Sequence, residues 1–346
     1  MNSSALAVSK TQIDRAGELL KRETSTDSEK VGALATLSAW RAYHAVPLNA
    51  FAKVLRERSQ KICEQATVAQ RLKRTPSILL KLSNHKTMRL SAMQDIGGLR
   101  SILKNAEDVY RLLDVYKSSS SKRHHLAALD DYIKKPKKDG YRSIHLVYKV
   151  EKTPNLFLEI QMRSQLQHIW ATGVEVFGTL KNSSFKSGHG NKAWLEFFKL
   201  LSSVFAMKEN QPVLDEHRLL EKDQLLAKAK KAIQELQVVE NLSVYTKAYK
   251  TISKSGAPGR RGHYSLILLN SRENTISLEA YSVNQFAEAA QKYLELETRH
   301  FKDQQINVVL VNTGDLKKLE ASYPNYFMDT NELIQNISLI TMGKFL

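Results

Sequence analysis

Four stretches of this chain gather side chains that phosphoryl-type transfer needs. In "QRLKRTPSILLKL" Arg71, Lys73, Ser77 and Lys81 fall at intervals of two, four and four. If the segment from Thr75 is helical, Ser77 and Lys81 share a face. "MQDIGGLRSIL" supplies Asp95, two glycines and then Arg100 on a strand. "FLEIQMR" sets Glu159 and Gln161 on one face of a strand, and Ile160 and Met162 on the other. "KKPKKDGYRSIHLVYKV" puts four lysines, Pro136 and Gly140 in front of a run in which Ile144, Leu146, Tyr148 and Val150 alternate with His145, Val147 and Lys149. Such chemistry needs cations for phosphates, a carboxylate pair for Mg²⁺ and a base for the attacking hydroxyl. Asp95 and Glu159 can supply the carboxylates; Arg71, Lys73, Lys81 and Lys137 can supply the cations. No Walker-type glycine loop is present, so side chains would hold the phosphates. Gly140 permits a turn, and Tyr141 at its end offers a ring for a base. The bland readings stay open for most of these. Arg71 and Lys73 could be solvated helix-end charges, Asp95 a turn cap, Tyr141 an ordinary strand-edge ring. Glu159 is harder to dismiss, because a carboxylate inside an apolar strand is uncommon without a partner or a metal.

The elements that must position these groups follow from periodicity. Residues 30–72 read as helical, with Ala33, Leu37 and Trp40 at helical spacing and Pro47 where a new helix can start. "GGLRSILKN" reads as a strand, and "AEDVYRLLDVYKS" as the helix after it. "SSSSKRHH" (118–125) reads as a polar loop. Residues 144–150 and "NLFLEIQMRS" are expected as neighbouring strands. "QLQHIWATGVEVFGTL", "NKAWLEFFKLLSSVFAMKE" and the long, charged "DEHRLLEKDQLLAKAKKAIQELQVVE" read as helices, with Trp170 and Trp194 in the core. After about residue 243, "LSVYTKAYKTIS", "GHYSLILLN", "NTISLEAYS" and "QINVVLVN" read as strands and "VNQFAEAAQKYLELETRHF" as a helix. The fold class is therefore α/β, followed by a small C-terminal α+β domain. The expected division is 1–242 and 243–346.

Composition bounds the function. The chain has 346 residues, 42% of them hydrophobic, and a net charge of +17. Residues 247–346 hold 12 Lys/Arg and 10 Asp/Glu, which leaves +15 on residues 1–246. Such an excess suggests a polyanionic partner, with solubility alone as the bland alternative. No apolar run approaches the ~20 residues that cross a bilayer. The N-terminus lacks the order of a signal peptide, so the protein is expected in the cytoplasm, away from membrane. The single Cys63 excludes an internal disulfide and a cysteine-based zinc site, and is read as a helix-packing residue.

Together "MQDIGGLR", "DYIKKPKKDGYRSIH" and "EIQMRSQLQHIWAT" resemble the synthetase domain of RelA/SpoT homologues over roughly residues 65–180. The resemblance implies a mixed sheet flanked by helices, like that of nucleotidyltransferases, and transfer of the β,γ-pyrophosphate of ATP to a ribose 3′-hydroxyl, with Mg²⁺. It implies that Arg71 and Arg100 sandwich adenine, a planar cation on each side. It implies that Lys73, Ser77, Lys81 and Lys137 hold the ATP phosphates and that Asp95 binds Mg²⁺. Glu159 would help to bind the metal and activate the hydroxyl. Tyr141 would stack on the acceptor's base, with His145 and Gln161 completing that side. No hydrolase domain is expected upstream. One departure stands out: many small alarmone synthetases carry a glutamate four residues after the helix tryptophan, where this chain has Val174, with Glu175 one residue later. The C-terminal part resembles the pseudo-zinc-finger antitoxin domain of fused toxin–antitoxin proteins of the CapRel type, here without zinc. That resemblance implies a tRNA 3′-CCA acceptor and an arrest of translation. It also implies autoinhibition by Tyr323 and Tyr326 in "EASYPNYFMD", relieved by a phage capsid or other phage protein. The alternatives are an alarmone synthetase making guanosine tetra- or pentaphosphate from GDP or GTP, and a degenerate RNA-binding module.

Overall fold

Ser9 and Thr26 each open a helix with a reciprocal capping box, closed by Gln12 and Glu29. The helices are α1 (Lys10–Lys21) and α2 (Asp27–Tyr43), and α3 (Ala45–Ile62) follows at once with Pro47 in its first turn. The computed structural model describes residues 8–22, 24–119, 124–151, 156–180, 192–242, 250–253, 264–270, 272–273, 275–300, 303, 305–312 and 330–345. The helical reading of 30–72 fails at its end, because Thr67–Leu72 is a strand, β1. Local spacing cannot reveal this; β1 is a strand because it pairs antiparallel with β2 (Gly97–Leu103) on one side and β9 (Ile306–Asn312) on the other. The next helix, α4 (Thr75–Asn84), begins where expected, with Pro76 in its first turn.

Helix α5 (Ala106–Ser118) follows β2, and His124–Asp131 is a further strand, β3, most of which had no strand reading. Strands β4 (Ile144–Val150) and β5 (Phe157–Ser164) are antiparallel neighbours, and β5 runs parallel to β2. Then come α6 (Gln165–Leu180) and α7 (Lys192–Lys208). The long helix expected from Asp215 is broken. One 3₁₀ turn covers Asp215–His217, Glu221 then caps α8 (Lys222–Glu235), and Gln237 adopts φ +45° beyond it. Strands β6 (Lys250–Ser253), β7 (Tyr264–Asn270) and β8 (Thr275–Tyr281), helices α9 (Phe286–Arg299) and α10 (Asn331–Thr341), and β9 complete the described elements.

Nine strands form one mixed sheet in the order β3-β4-β5-β2-β1-β9-β7-β8-β6. Strands from both sides of residue 243 therefore share it. In the half formed by β1–β5, one face is apolar. Leu99, Leu146, Leu158, Ile160 and Met162 pack there against α3, α4 and α5 residues such as Leu55, Ile78 and Leu112. A second core lies between α6, α7, α8 and α10, and Trp170 and Trp194 sit in it as expected. Val174 is buried there too, so the position of the departure noted above is a packing position. Cys63 ends α3 and packs against the first core. No helix among the described residues is long and apolar enough to cross a membrane.

Candidate active site

The register of the sheet assembles the polar face. Arg71 lies opposite Gly98, Gly98 opposite Glu159, and Glu159 opposite Val147. The next row reads Ala69, Arg100, Gln161 and His145. Alternation along each strand turns these residues to one side while their neighbours build the core. Arg71, Lys73, Asp95, Arg100, Glu159 and Gln161 line one open cleft. Gly98 lies on its floor, and a Cβ there would meet only the Arg71 carbonyl oxygen at 3.8 Å, so the space it leaves belongs to the cleft.

Lys73 and Asp95 face each other across the end of the β1–β2 ladder. The Lys73 N–H donates to the Ile96 carbonyl at 2.8 Å. Asp95 Oδ2 takes the Lys73 ammonium at 2.9 Å and the Lys81 ammonium at 3.0 Å. Ser77 and Lys81 share α4, one turn apart. Burial pulls the Lys73 ammonium below its usual range, and Asp95 offsets this only in part. Asp95 Oδ1 is buried and has no hydrogen-bond partner.

Glu159 has both oxygens occupied: His145 Nδ1 lies 2.8 Å from Oε1, and Gln161 Nε2 donates to Oε2 at 2.8 Å. Burial would raise its carboxyl, but the His145 contact, the Gln161 hydrogen bond and the Lys73 charge together hold it down to about 2. It stays ionised at neutral pH. His145 Nε2 lies 2.7 Å from the Tyr141 hydroxyl, which also accepts from Arg163 Nη2 at 2.6 Å. Burial opposes charge on the His145 ring, yet Tyr141 and Glu159 raise it above the usual imidazole range. Burial would also raise the Tyr141 phenol, but Arg163 and His145 bring it to about 7.

Gly140, at the mouth of this site, has φ +95°. A Cβ there would meet Ser202 Cβ at 2.9 Å and Trp170 Cζ2 at 3.1 Å, so both conformation and space require glycine. Ser202 on α7 donates to the Gly140 carbonyl at 2.6 Å and accepts from Arg142 Nε at 3.0 Å, which pins the turn. The Tyr141 ring lies 5.2 Å from the Lys137 ammonium and 5.0 Å from the Arg163 guanidinium. Lys137 is exposed on the rim.

The structure thus brings Arg71, Lys73, Lys81, Asp95, Arg100, Glu159, Gln161 and His145 to one face, with Tyr141 and Lys137 at its edge and Ser77 on α4. Tyr323 and Tyr326 lie outside the described residues. Arg163 received no role from the sequence, although the alternation that picked out Glu159 and Gln161 reaches it as well. Ser202 had no signal, since nothing local links it to a turn 62 residues away.

Whether Mg²⁺ fits can be tested on the oxygens present. Among the described residues no group of three or more His, Cys, Asp and Glu could hold a metal. Mg²⁺, however, is commonly held by one or two carboxylates with phosphates and water. Asp95, whose buried Oδ1 has no hydrogen-bond partner, lines the cleft together with Glu159, and that pair of carboxylates suits such a site.

Residues 70–184 match the family model described as "Region found in RelA / SpoT proteins". The GTP pyrophosphokinase YwaC of Bacillus subtilis is 34% identical over 87 residues, covering 23% of this chain and 40% of that protein. The GTP pyrophosphokinase of Escherichia coli K12 is 31% identical over 160 residues, covering 44% and 21% respectively. The chain spans less than half the length of these relatives. Among solved structures, the small alarmone synthetase 2 of Bacillus subtilis overlaps 49% of this chain and 92% of its own, at 22% identity and a TM-score of 0.42.

Proposed function

We propose, from the match of residues 70–184 to the RelA/SpoT family model, that the chain is an ATP-dependent pyrophosphokinase of the RelA/SpoT synthetase type. The 3′-oxygen of an acceptor attacks the β-phosphorus of ATP, the bond to the α-phosphate breaks, and AMP leaves. The observation that carries this reading is the polar sheet face, on which two guanidiniums, Lys73 and two carboxylates from distant segments line one cleft, with Lys81 paired to Asp95 beside it. Arg71 and Arg100 flank the adenine, and Lys73, Ser77, Lys81 and Lys137 take the phosphates. Glu159, kept ionised by His145 and Gln161, receives the hydroxyl proton. Tyr141 stacks on the acceptor base beside His145 and Gln161. Asp95, with Glu159, would hold Mg²⁺, which when bound neutralises charge on the transferring phosphates.

The acceptor we favour is the tRNA 3′-CCA end, whose modification stops translation. The +15 charge on residues 1–246 supports a polynucleotide over a lone nucleotide. The second reading, GDP or GTP as acceptor, is favoured by the names of the relatives, which are GTP pyrophosphokinases. Incubation with ATP labelled at the γ-phosphate, with either GDP/GTP or total tRNA, separates the two by which one becomes labelled. Label in neither, even with Tyr323 and Tyr326 both replaced by alanine, would sink the pyrophosphokinase reading. Likeness to the CapRel type adds a regulatory half: residues 243–346 hold the site shut, Tyr323 and Tyr326 take the adenine position, and a phage protein releases them. Replacing both tyrosines with alanine would then make the full chain toxic without a trigger. Unchanged growth at equal soluble levels would remove that half.

A further inference from the structure

A carboxylate from α9 sits at the start of the helix that carries Ser77 and Lys81. Glu297 Oε1 accepts the Thr75 backbone N–H at 2.8 Å, and Oε2 accepts the Thr75 hydroxyl at 2.9 Å. Arg74, the N-cap of α4, provides no side-chain cap of its own. Glu297, 222 residues beyond Thr75, does that work. Arg41 of α2 holds Glu297 in place, donating to Oε2 at 2.5 Å and to the Thr75 hydroxyl at 3.0 Å. Tyr293 donates to Glu297 Oε1 at 2.8 Å and accepts from Arg41. Arg41 and Glu297 are 1% and 7% exposed, so the cluster is dry. Beside it Arg74 donates to Asn307 on β9, and β9 pairs with β1 at Arg71. The cationic cradle of the cleft is therefore framed by the C-terminal strands and helix.

We propose that Glu297 is a positioning residue for the donor site: by capping α4 it fixes Ser77 and Lys81, and so couples the seating of α9 to nucleotide affinity. This rests on the reading of that cradle as the ATP site. Coupling of this kind is reciprocal, so nucleotide must steady α9 as much as α9 steadies the cradle. A carboxylate at a helix N-terminus also opposes the charge of the first-turn amides, which a neutral residue there does not do.

The test uses the full chain and α,β-methylene-ATP. Glu297→Gln keeps the shape and removes the charge. The double variant Arg41→Met, Glu297→Leu removes both buried ions, an exchange that buried pairs tolerate well. Both variants should bind the analogue about fivefold or more weakly, the value of one helix cap. In both, amide exchange in the first turn of α4 should speed up even without nucleotide. In the wild type, the analogue should slow exchange in Phe286–Arg299. A folded double variant with wild-type affinity and wild-type exchange in α4 would overturn the proposal. So would a wild type whose α9 exchange ignores bound analogue, and that measurement needs no variant to fold. If the analogue binds neither the wild type nor a full chain with Tyr323→Ala and Tyr326→Ala, the donor-site reading falls. The α4 exchange of the variants still decides whether Glu297 positions the helix.

Discussion

Asp95, which lines an open cleft, takes two lysine ammoniums on one oxygen and leaves the other buried without a hydrogen-bond partner. Glu297 uses both of its oxygens on Thr75, Arg41 and Tyr293, in a dry interior. The two clusters use the same ingredients, a carboxylate among cations and hydroxyls. They differ in what is left over. A carboxylate with a spare buried oxygen has capacity for a ligand, whereas a saturated one has capacity only for structure. Solvent access separates their energetics as well. Partly exposed ion pairs contribute less to stability, while breaking a fully buried pair leaves a charge with nothing to answer it.

The largest effect should come from the cleft. Glu159→Gln should reduce pyrophosphate transfer by ~10²–10⁴-fold with analogue binding largely kept, because an amide cannot take the hydroxyl proton. Single-turnover transfer alongside calorimetric binding would check this. Near-normal turnover would remove Glu159 from the chemistry.

The dry cluster should respond in stability. Arg41→Ala should lower the unfolding free energy by about 3–5 kcal/mol, since it strands Glu297. A denaturant midpoint close to wild type would place Arg41 and Glu297 with the surface pairs and erase the contrast.

His44, next to Arg41, extends the contrast to pH. Burial, with a smaller push from Arg41, lowers its ring from 6.5 to about 4, against the hydrogen bond to the Trp40 carbonyl. Its Nε2 is buried without a partner. The folded chain therefore refuses a proton that the unfolded chain takes up below pH ~6.5. Stability is full above that value and falls as pH drops toward about 4, by about 3 kcal/mol from this one group. His44→Phe should flatten that part of the stability–pH curve. An unchanged slope would assign it to other groups.

The smallest stability effect belongs to Lys81, whose side chain is 31% exposed. Lys81→Ala should change unfolding by no more than about 1 kcal/mol, yet weaken ATP binding several-fold. If it unfolded the protein as Arg41→Ala does, the distinction between cleft and dry cluster would be false.

Much of the site was legible because strand alternation is a local property. Glu159 with Gln161, and His145 opposite the buried run Ile144–Val150, could be assigned to faces from spacing alone, and the register places them side by side. The same rule reaches Arg163, which the alternation alone places beyond Gln161 on the same face. The segment that holds Arg71 was misread as helical, because the preceding stripe is helical and six residues are too few to show a change of period. Its partners, Gly98 and Val311, decide its state, and they lie far along the chain.

What the sequence determined by itself was the inventory and its local geometry: the polar faces of β4 and β5, the start of α4 at Thr75 and Pro76, and the glycine at the turn before Tyr141. Only the tertiary structure decided that Ser202 would pin that glycine, that β9 would lie along β1, and that Glu297 would cap α4. Periodicity records which side of an element is apolar. It carries no record of which distant element will cover that side, and a hydrogen bond between residues 222 positions apart exists only once packing has brought them together.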